Sequence, residues 1–243
     1  KMLEELVALE SQFPELLLPS SPSQRVGGGI TKEFKTVKHK YPMLSLSNSY
    51  STDDMLDFDR RVREGLGIAS DLFSESSVNY VCELKFDGLS IGLTYKHGEL
   101  LHAITRGDGV QGDDVTTNAR TIKSIPLKLK GHYPEEFEIR GEIFLPRPVF
   151  DAINREREEI GEAPLANPRN AASGTMKMQD SKVVASRRLD CFLYFLLGET
   201  IPHQSHYQNL QTAKSWGFKV SGESRLCKGI NEVLAFIEHW DKA

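Results

Sequence analysis

The sequence predicts an α+β fold, in which antiparallel sheets carry helices on their outer faces. Three observations support this prediction. Strand-like stretches follow one another through tight turns, of which "KHGE" at residues 96–99 is the clearest. Amphipathic helical stretches accompany the strands, and there is no internal repeat or low-complexity tract. Because strands joined by short turns pair in antiparallel fashion, we expect antiparallel sheets.

The N-terminal part of the chain predicts one helix and a linker. Residues 2–13 place their apolar side chains on one helical stripe, and Pro14 ends the helix. Residues 18–30 are rich in proline, serine and glycine, which is typical of a linker. An isolated helix of about three turns is marginally stable in water. We therefore expect residues 1–33 to be the remnant of an N-terminal helical module with its linker, unless the opening helix packs on the main domain.

The main domain begins at about residue 34 and carries the remaining elements. Ser51 or Thr52 begins a helix in residues 51–67, aspartates fill its first turn, and Gly65 and Gly67 end it. Strands are predicted at residues 78–87, 89–96, 100–106, 136–145 and 190–199. Further helices are predicted at residues 146–161, 206–217 and 231–240. Asp113 and Asp114 are expected to cap a helix that follows them.

Net charge, cysteine spacing and the length of the longest apolar run limit which classes of protein the chain fits. A net charge of −4 over 243 residues differs from that of a nucleic-acid clamp, so any contact with DNA must depend on a local basic patch. The three cysteines, Cys82, Cys191 and Cys227, lack metal-ligand spacing and suit a reducing cytosol. The longest apolar run, "CFLYFLLG", is far too short to span a bilayer. We expect a cytoplasmic protein with no membrane segment and no metal ligands among its site residues.

The stretch "VCELKFDGLSIGLTY" (residues 81–95) combines a strand pattern with charge. Glu83, Lys85 and Asp87 share one predicted face, and apolar residues share the other. One interpretation is an ordinary solvated face; the other is a wet cleft, because burying three unpaired charges is prohibitive. Gly88 favours the cleft, since a residue without a side chain lets a ligand or another backbone approach closely.

A second strand repeats the pattern. Glu138, Arg140 and Glu142 share one predicted face, and Gly141 lies between them. Two such strands predict two walls of one polar pocket. A lysine there can act as a nucleophile only as an uncharged amine. Neighbouring carboxylates stabilise the charged form instead, and the sequence leaves this conflict open.

Five sequence blocks resemble a known family. "ELKFDG" contains Lys-x-Asp-Gly, the signature of covalent nucleotidyltransferases, which include polynucleotide ligases and RNA-capping enzymes. The other four are "MLSLSNSY" (43–50), "AITRGDGVQGDDVTTNARTI" (103–122), "EIRGEIFLP" (138–146) and "ANPRNAASGT" (166–175). In this order and spacing, the blocks resemble the adenylation domain of bacterial NAD-dependent DNA ligases over nearly the whole chain. The resemblance implies the covalent nucleotidyltransferase fold, an ATP-grasp-like ligase fold.

The resemblance also implies catalytic roles. Lys85 would attack the adenylyl phosphorus of NAD+ and release nicotinamide mononucleotide, and Asp87 would help to position Lys85 and a metal. Glu83 would accept a hydrogen bond from the adenine amino group. Arg106 and Glu142 would hold the ribose and phosphate region. The implied cofactor-binding residues are Ser45, Leu46, Glu83, Arg106 and Glu142.

DNA contacts follow from the same resemblance. Arg169 would contact phosphate, because a guanidinium fork matches phosphate geometry. Lys177 stands where many members of the family carry arginine, so its DNA contact would be a point charge only. The implied cofactors are NAD+ and Mg2+, with Zn2+ expected only in C-terminal parts outside this sequence. The implied partner of the full-length protein is nicked double-stranded DNA, which a monomer would seal in replication and repair.

The resemblance implies that the chain is a fragment, with residues 34–243 as a C-terminally truncated adenylation domain. Since phosphoryl transfer depends on positioning and electrostatics, we expect this fragment to self-adenylate poorly or not at all, and not to seal nicks. Two alternatives stay open: a noncatalytic nucleotide- or nucleic-acid-binding module of the same fold, and a relative that uses a nucleoside triphosphate. Lys85→Arg separates the first alternative from an enzyme, and the nucleotide that forms the adduct separates the second.

Overall fold

A computed structural model describes residues 2–18, 20–25, 33–68 and 78–242. The chain divides into two compact units. The first unit contains Lys1–Met43 and Phe86–Val220, and the second contains Leu44–Lys85 and Ser221–Ala243. Of the linker predicted at residues 18–30, residues 19 and 26–30 lie outside the described ranges.

The described strands and helices confirm the predicted α+β class. The strands are β1 (Thr36–Lys38), β2 (Asn79–Cys82), β3 (Leu89–Lys96), β4 (Glu99–Thr105), β5 (Gln111–Asp113), β6 (Glu136–Phe144), β7 (Asp190–Leu197) and β8 (Arg225–Lys228). The α-helices are α1 (Met2–Gln12), α2 (Thr52–Gly65), α3 (Thr116–Ala119), α4 (Arg147–Glu159), α5 (Pro168–Met176), α6 (Ser181–Ser186), α7 (His206–Ser215) and α8 (Ile230–Asp241). Short 3-10 turns lie at Pro14–Leu16 and Pro22–Arg25.

The first unit is built on a four-stranded antiparallel sheet in the order β4-β3-β6-β7. The turn at residues 97–98 joins β3 to β4 and contains Gly98 at φ +77°. A register shift between Arg140 and Gly141 marks a bulge where β6 pairs with β7. A smaller antiparallel pair joins β1 to β5.

One face of this sheet carries the main core. Ile91, Leu93 and Tyr95 from β3 and Ile139 and Ile143 from β6 have no solvent exposure. Each fully buried side chain of this size stabilises the fold by roughly 1.5–3 kcal/mol. Consecutive strand residues point to opposite faces, so the same strands place Ser90 and the residues 138, 140 and 142 on the opposite face.

The N-terminal segment belongs to the first unit and makes specific contacts with it. The guanidinium of Arg25 donates to the backbone carbonyls of Arg120, Ile122 and Ile125, at 3.0–3.2 Å. Burial of this group lowers the pKa of Arg25. None of the described residues of α1 is buried. Arg25, which lies in the predicted linker, therefore attaches this segment to the first unit.

In the second unit, two helices pack on a short antiparallel pair of strands that are far apart in sequence. Strands β2 and β8 are antiparallel, with Tyr80 opposite Cys227. Cys227, Val233 and Phe236 form a small buried core beside them. Helix α2 begins with a capping box, in which the Ser51 hydroxyl accepts from the Asp54 amide and the Asp54 carboxylate accepts from the Ser51 amide.

Two local predictions were wrong. The predicted strand at residues 78–87 ends at Cys82, because β8 offers pairing partners for residues 79–82 alone. Asp113 does not cap α3; it forms an ion pair with Lys177, whereas the Asp114 carboxylate accepts from the amide of Thr116. None of the helices within the described ranges is long and apolar enough to cross a membrane.

Candidate active site

Lys85 is the last residue of the first segment of the second unit, and it is exposed. It lies three residues beyond the end of β2, in an unpaired stretch. Leu84, the residue before it, packs against the small core of the second unit and so holds the backbone on that side. Across the part of the chain that the structure describes, Lys85 has no hydrogen bond or ion pair.

The two carboxylates that flank Lys85 in sequence contact other groups. Glu83 accepts a hydrogen bond from the Ser224 hydroxyl at 3.3 Å. Asp87 accepts from the Arg169 guanidinium at 2.7 Å. The sequence suggested that these carboxylates would hold Lys85 as an ammonium ion. Within the described ranges, neither carboxylate is paired with Lys85.

Ser45 and Leu46 lie on an exposed stretch of the second unit. Residues 44–50 belong to no helix or strand, and all of them are exposed. Leu46 is 80% exposed, which is unusual for a leucine and leaves an apolar surface open to solvent. The Leu46 side chain therefore takes little part in packing.

In the first unit, Ser90 connects two of the predicted cofactor-binding residues. Its hydroxyl donates to the Glu142 carboxylate at 2.8 Å. Its backbone carbonyl accepts from the amide of Arg106 at 3.1 Å. Glu142 is buried, and burial together with the Glu142 charge raises the pKa of the nearby Tyr194. Ser90 on β3 thus lies between Glu142 of β6 and the backbone of Arg106, which follows β4.

Arg169 lies in the first turn of α5. The side chain of Asn167 caps this helix by accepting from the Asn170 amide at 2.7 Å, and Pro168 follows at the first helical position. The Arg169 side chain is more than half exposed and contacts Asp87, so the ion pair is weak and screened by solvent. A phosphate could compete with the Asp87 carboxylate for this guanidinium.

Lys177 follows the end of α5 and lies 3.0 Å from the Asp113 carboxylate. The buried side chain of Asn118 donates to the carbonyls of Met176 and Met178, at 2.9 and 2.8 Å. The backbone on both sides of Lys177 is therefore fixed, while its ammonium group stays about half exposed.

Arg140 does not line an open polar pocket as the alternation predicted. It is 8% exposed, and Nε donates to Glu138 at 2.7 Å. Nη1 donates to the Pro42 carbonyl at 3.0 Å, and Nη2 donates to the Tyr41 carbonyl. All three guanidinium nitrogens are therefore engaged within the protein.

The described side chains do not supply a magnesium cage of their own. No group of three or more His, Cys, Asp or Glu residues within the described ranges could hold a metal ion. Asp87, the predicted metal neighbour, contacts Arg169.

Comparison with known proteins now decides the family. A family model described as "NAD-dependent DNA ligase adenylation domain" matches residues 31–243. This chain belongs to that family. A second family model, described as "DNA ligase-like, N-terminal NAD+-binding domain", matches residues 1–27. The gap between the two matches lies close to the predicted boundary at residues 33–34.

Three similar curated proteins are each named DNA ligase. The chain is 55% identical over 242 residues to a relative from Cytophaga hutchinsonii, with 99% of this chain and 35% of that protein covered. It is 53% identical over 240 residues to a relative from Flavobacterium psychrophilum and 52% identical over 243 residues to one from Parabacteroides distasonis, with 99% of this chain and 35% of each relative covered. The chain thus spans about a third of the length of the relatives it matches.

Within this NAD-dependent ligase adenylation domain, sequence reasoning missed three residues that contact or adjoin the predicted site. They are Ser90, Tyr194 and Asn118. Ser90 could have been found from the strand period, since it lies opposite Glu142 in the β3–β6 register. Tyr194 lies next to the β6–β7 bulge, and Asn118 acts across 58 residues of sequence, so no local signal predicts either one.

Proposed function

We propose that this domain transfers an adenylyl group from NAD+ to its own Lys85. The Nζ–P bond forms while the P–O bond to nicotinamide mononucleotide breaks, and that phosphate leaves with the electron pair. The observation that carries the proposal is an exposed Lys85 in Lys-x-Asp-Gly that lacks a partner among the described residues, although carboxylates flank it in sequence. Only an uncharged amine attacks, and a proton leaves Nζ for solvent as its bond to phosphorus forms.

Roles for the other residues follow the family resemblance. Glu83 would accept from the adenine amino group, and Ser45 and Leu46 would contact the nucleotide. Glu142 and Arg106, which Ser90 connects, would hold the ribose and phosphates. Asp87 would act through its ion pair with Arg169, which keeps the residue two positions from Lys85 in place. We propose Mg2+ as a companion of the NAD+ phosphates, since Mg2+ often needs few protein ligands.

The adenylyl group would then pass to the 5′-phosphate of a nick in double-stranded DNA, and the 3′-hydroxyl would displace AMP. This part is a proposal about the whole protein, in replication and repair. Arg169 and Lys177 would meet DNA phosphates, as exposed cations outside the buried core. The three cysteines are free thiols, which supports a cytoplasmic setting.

The test is intact-mass analysis of the chain with its native flanking segments restored, after long incubation with NAD+ and Mg2+. We expect a gain of one adenylyl group that maps to Lys85, and release of nicotinamide mononucleotide. Lys85→Arg keeps the charge and should abolish the adduct. Lys228→Arg, at an exposed lysine of the same unit, is the matched control and should form the adduct normally.

Three outcomes contradict the proposal. Wild-type chain that gains no adenylyl group over many hours argues for a noncatalytic binding module. An adduct that survives in Lys85→Arg places the nucleophile elsewhere. An adduct formed from ATP and not from NAD+ assigns a different nucleotide donor.

A further inference from the structure

We infer that Arg140 is a positioning residue for the nucleotide-binding segment that begins at Leu44. The inference rests on the proposed function, in which Ser45 and Leu46 contact the nucleotide. Arg140 itself would touch neither nucleotide nor DNA, because its three guanidinium nitrogens already bond to Glu138, Pro42 and Tyr41.

Arg140 bonds to backbone that is distant from it in sequence, at Tyr41 and Pro42. Arg140 lies on β6, and the carbonyls it binds belong to residues 98 and 99 positions earlier in the chain. Glu138 is also buried, at 7% exposure, and it neutralises the arginine. A buried charge with three well-placed acceptors gives a fixed geometry that a flexible surface arginine lacks.

The same backbone is also held by residues 106–110. The Met43 amide donates to the Gly109 carbonyl at 2.8 Å, and the His39 amide donates to the Val110 carbonyl at 2.9 Å. The His39 ring lies 3.0 Å from the Arg106 carbonyl. His39 and Met43 are both buried. Residues 39–43 are therefore held between Arg140 and the turn that carries Arg106.

Burial changes abruptly after Met43. Residues 44–50 are all exposed and belong to no helix or strand. Fixing each flexible residue costs about 1–2 kcal/mol of backbone entropy, so the segment depends on a fixed starting point to keep this cost of ligand binding low. Loss of the anchor should therefore weaken nucleotide binding more than it slows the chemical step at Lys85.

The substitution that tests this is Arg140→Lys. Lysine keeps the charge beside Glu138, but one ammonium group cannot replace a planar fork that bonds three acceptors. We expect faster amide hydrogen exchange in residues 41–47, with β6 still protected. We also expect affinity for NAD+ to fall on the order of tenfold, with the adenylation rate at saturating NAD+ within about threefold of wild type.

Two comparison variants separate positioning from stability. Arg147→Lys changes an exposed arginine of the same unit, whose side chain is 74% exposed, and should alter neither exchange nor affinity. Glu138→Gln removes the buried counter-charge but keeps the bonds to Tyr41 and Pro42. It should lower the melting temperature without opening residues 41–47.

If Arg140→Lys fails to fold, amide hydrogen exchange in the wild-type chain still tests the inference. The Met43 amide must be protected and the amides of residues 44–47 must exchange quickly. Equal exchange on both sides of Met43, or unchanged exchange and NAD+ affinity in a folded Arg140→Lys, overturns the positioning role. The proposed function fails differently, through absence of the Lys85 adduct in wild-type chain.

Discussion

The missing Cβ of Gly88, the residue directly before β3, lets the backbone there lie close to β6. A Cβ built at Gly88 would lie 2.1 Å from the Ile143 carbonyl oxygen and 3.2 Å from the Glu142 side chain. Gly141 is equally constrained, with the Phe192 carbonyl oxygen 2.3 Å from its Cβ position. The sequence left two reasons for Gly88 open, approach of a ligand and approach of another backbone. The described contacts at Gly88 are those of backbone approach, next to a predicted cofactor-binding carboxylate.

Gly88→Ala should destabilise the domain by about 3 kcal/mol, since a backbone oxygen cannot move aside without distorting β6. Denaturant unfolding measures this change. Gly174→Ala is the matched control, because no atom lies within 4 Å of its Cβ position in helix α5. That change should leave stability unaltered or raise it by about 0.5–1 kcal/mol. Equal stability for the two variants would contradict the close-approach argument.

Residue-level prediction was limited by long-range contacts. The period of two correctly placed Glu138, Arg140 and Glu142 on one face of β6. It could not show that Arg140 bonds to carbonyls nearly 100 residues away, because alternation reports only which face a side chain occupies. Likewise, the spacing around Lys85 gave its charged neighbours but not their partners, Ser224 and Arg169.

At the scale of elements, local signals predicted helices better than strand ends. The serine and aspartate at the start of α2 form the capping box that their order indicates. Strand β2 was predicted too long, at residues 78–87 instead of Asn79–Cys82. Alternation continues beyond Cys82, with Leu84 packed and Lys85 exposed, yet a strand also needs a partner. Pairing with β8 is non-local, and the sequence carries no local sign of where it stops.

The β2–β8 pair also contains the Cys82 thiol, whose pKa is strongly raised. Burial raises the pKa of Cys82 to about 12, and its hydrogen bond with the Cys227 thiol adds to the rise. The ordinary value is about 9. Between about pH 9 and pH 12, the folded protein therefore keeps a Cys82 thiol proton that the unfolded chain has lost. Stability from this group is complete below pH 9 and is lost as the pH rises toward 12.

Comparison of wild type with Cys82→Ala should reveal this linkage. We expect the difference in their free energies of unfolding to be constant below about pH 8 and to shrink as the pH rises above 9. The slope should be below about 1.4 kcal/mol per pH unit, because the thiol is partly exposed. Denaturant melts at several pH values give the measurement. Val81→Ala, on the same strand, should give a pH-independent difference; a flat result for Cys82→Ala would show that the thiol titrates normally.

For the whole molecule, the balance of charge opposes DNA binding unless basic groups are placed locally. The net charge is −4, so a polyanion is not attracted by the chain as a whole. The cations proposed to meet DNA are each already beside a carboxylate, Arg169 with Asp87 and Lys177 with Asp113. Both pairs are partly exposed, so each holds its cation weakly and a phosphate can displace the carboxylate. Binding is then an exchange of one anion for another, and it should depend on the carboxylates as well as on the cations.

Asp113→Asn should therefore strengthen binding to a nicked duplex, because it releases Lys177 from its 3.0 Å ion pair. The salt dependence should become steeper by up to about one released counterion, and Lys177→Ala should weaken binding and reduce the slope. Fluorescence anisotropy with a labelled nicked duplex, from roughly 50 to 200 mM salt, measures both quantities. Asp151→Asn makes the same charge change beside Arg147 on α4 and serves as the control. If both asparagine variants tighten binding equally, the gain comes from net charge alone, and Lys177 loses its proposed contact with DNA.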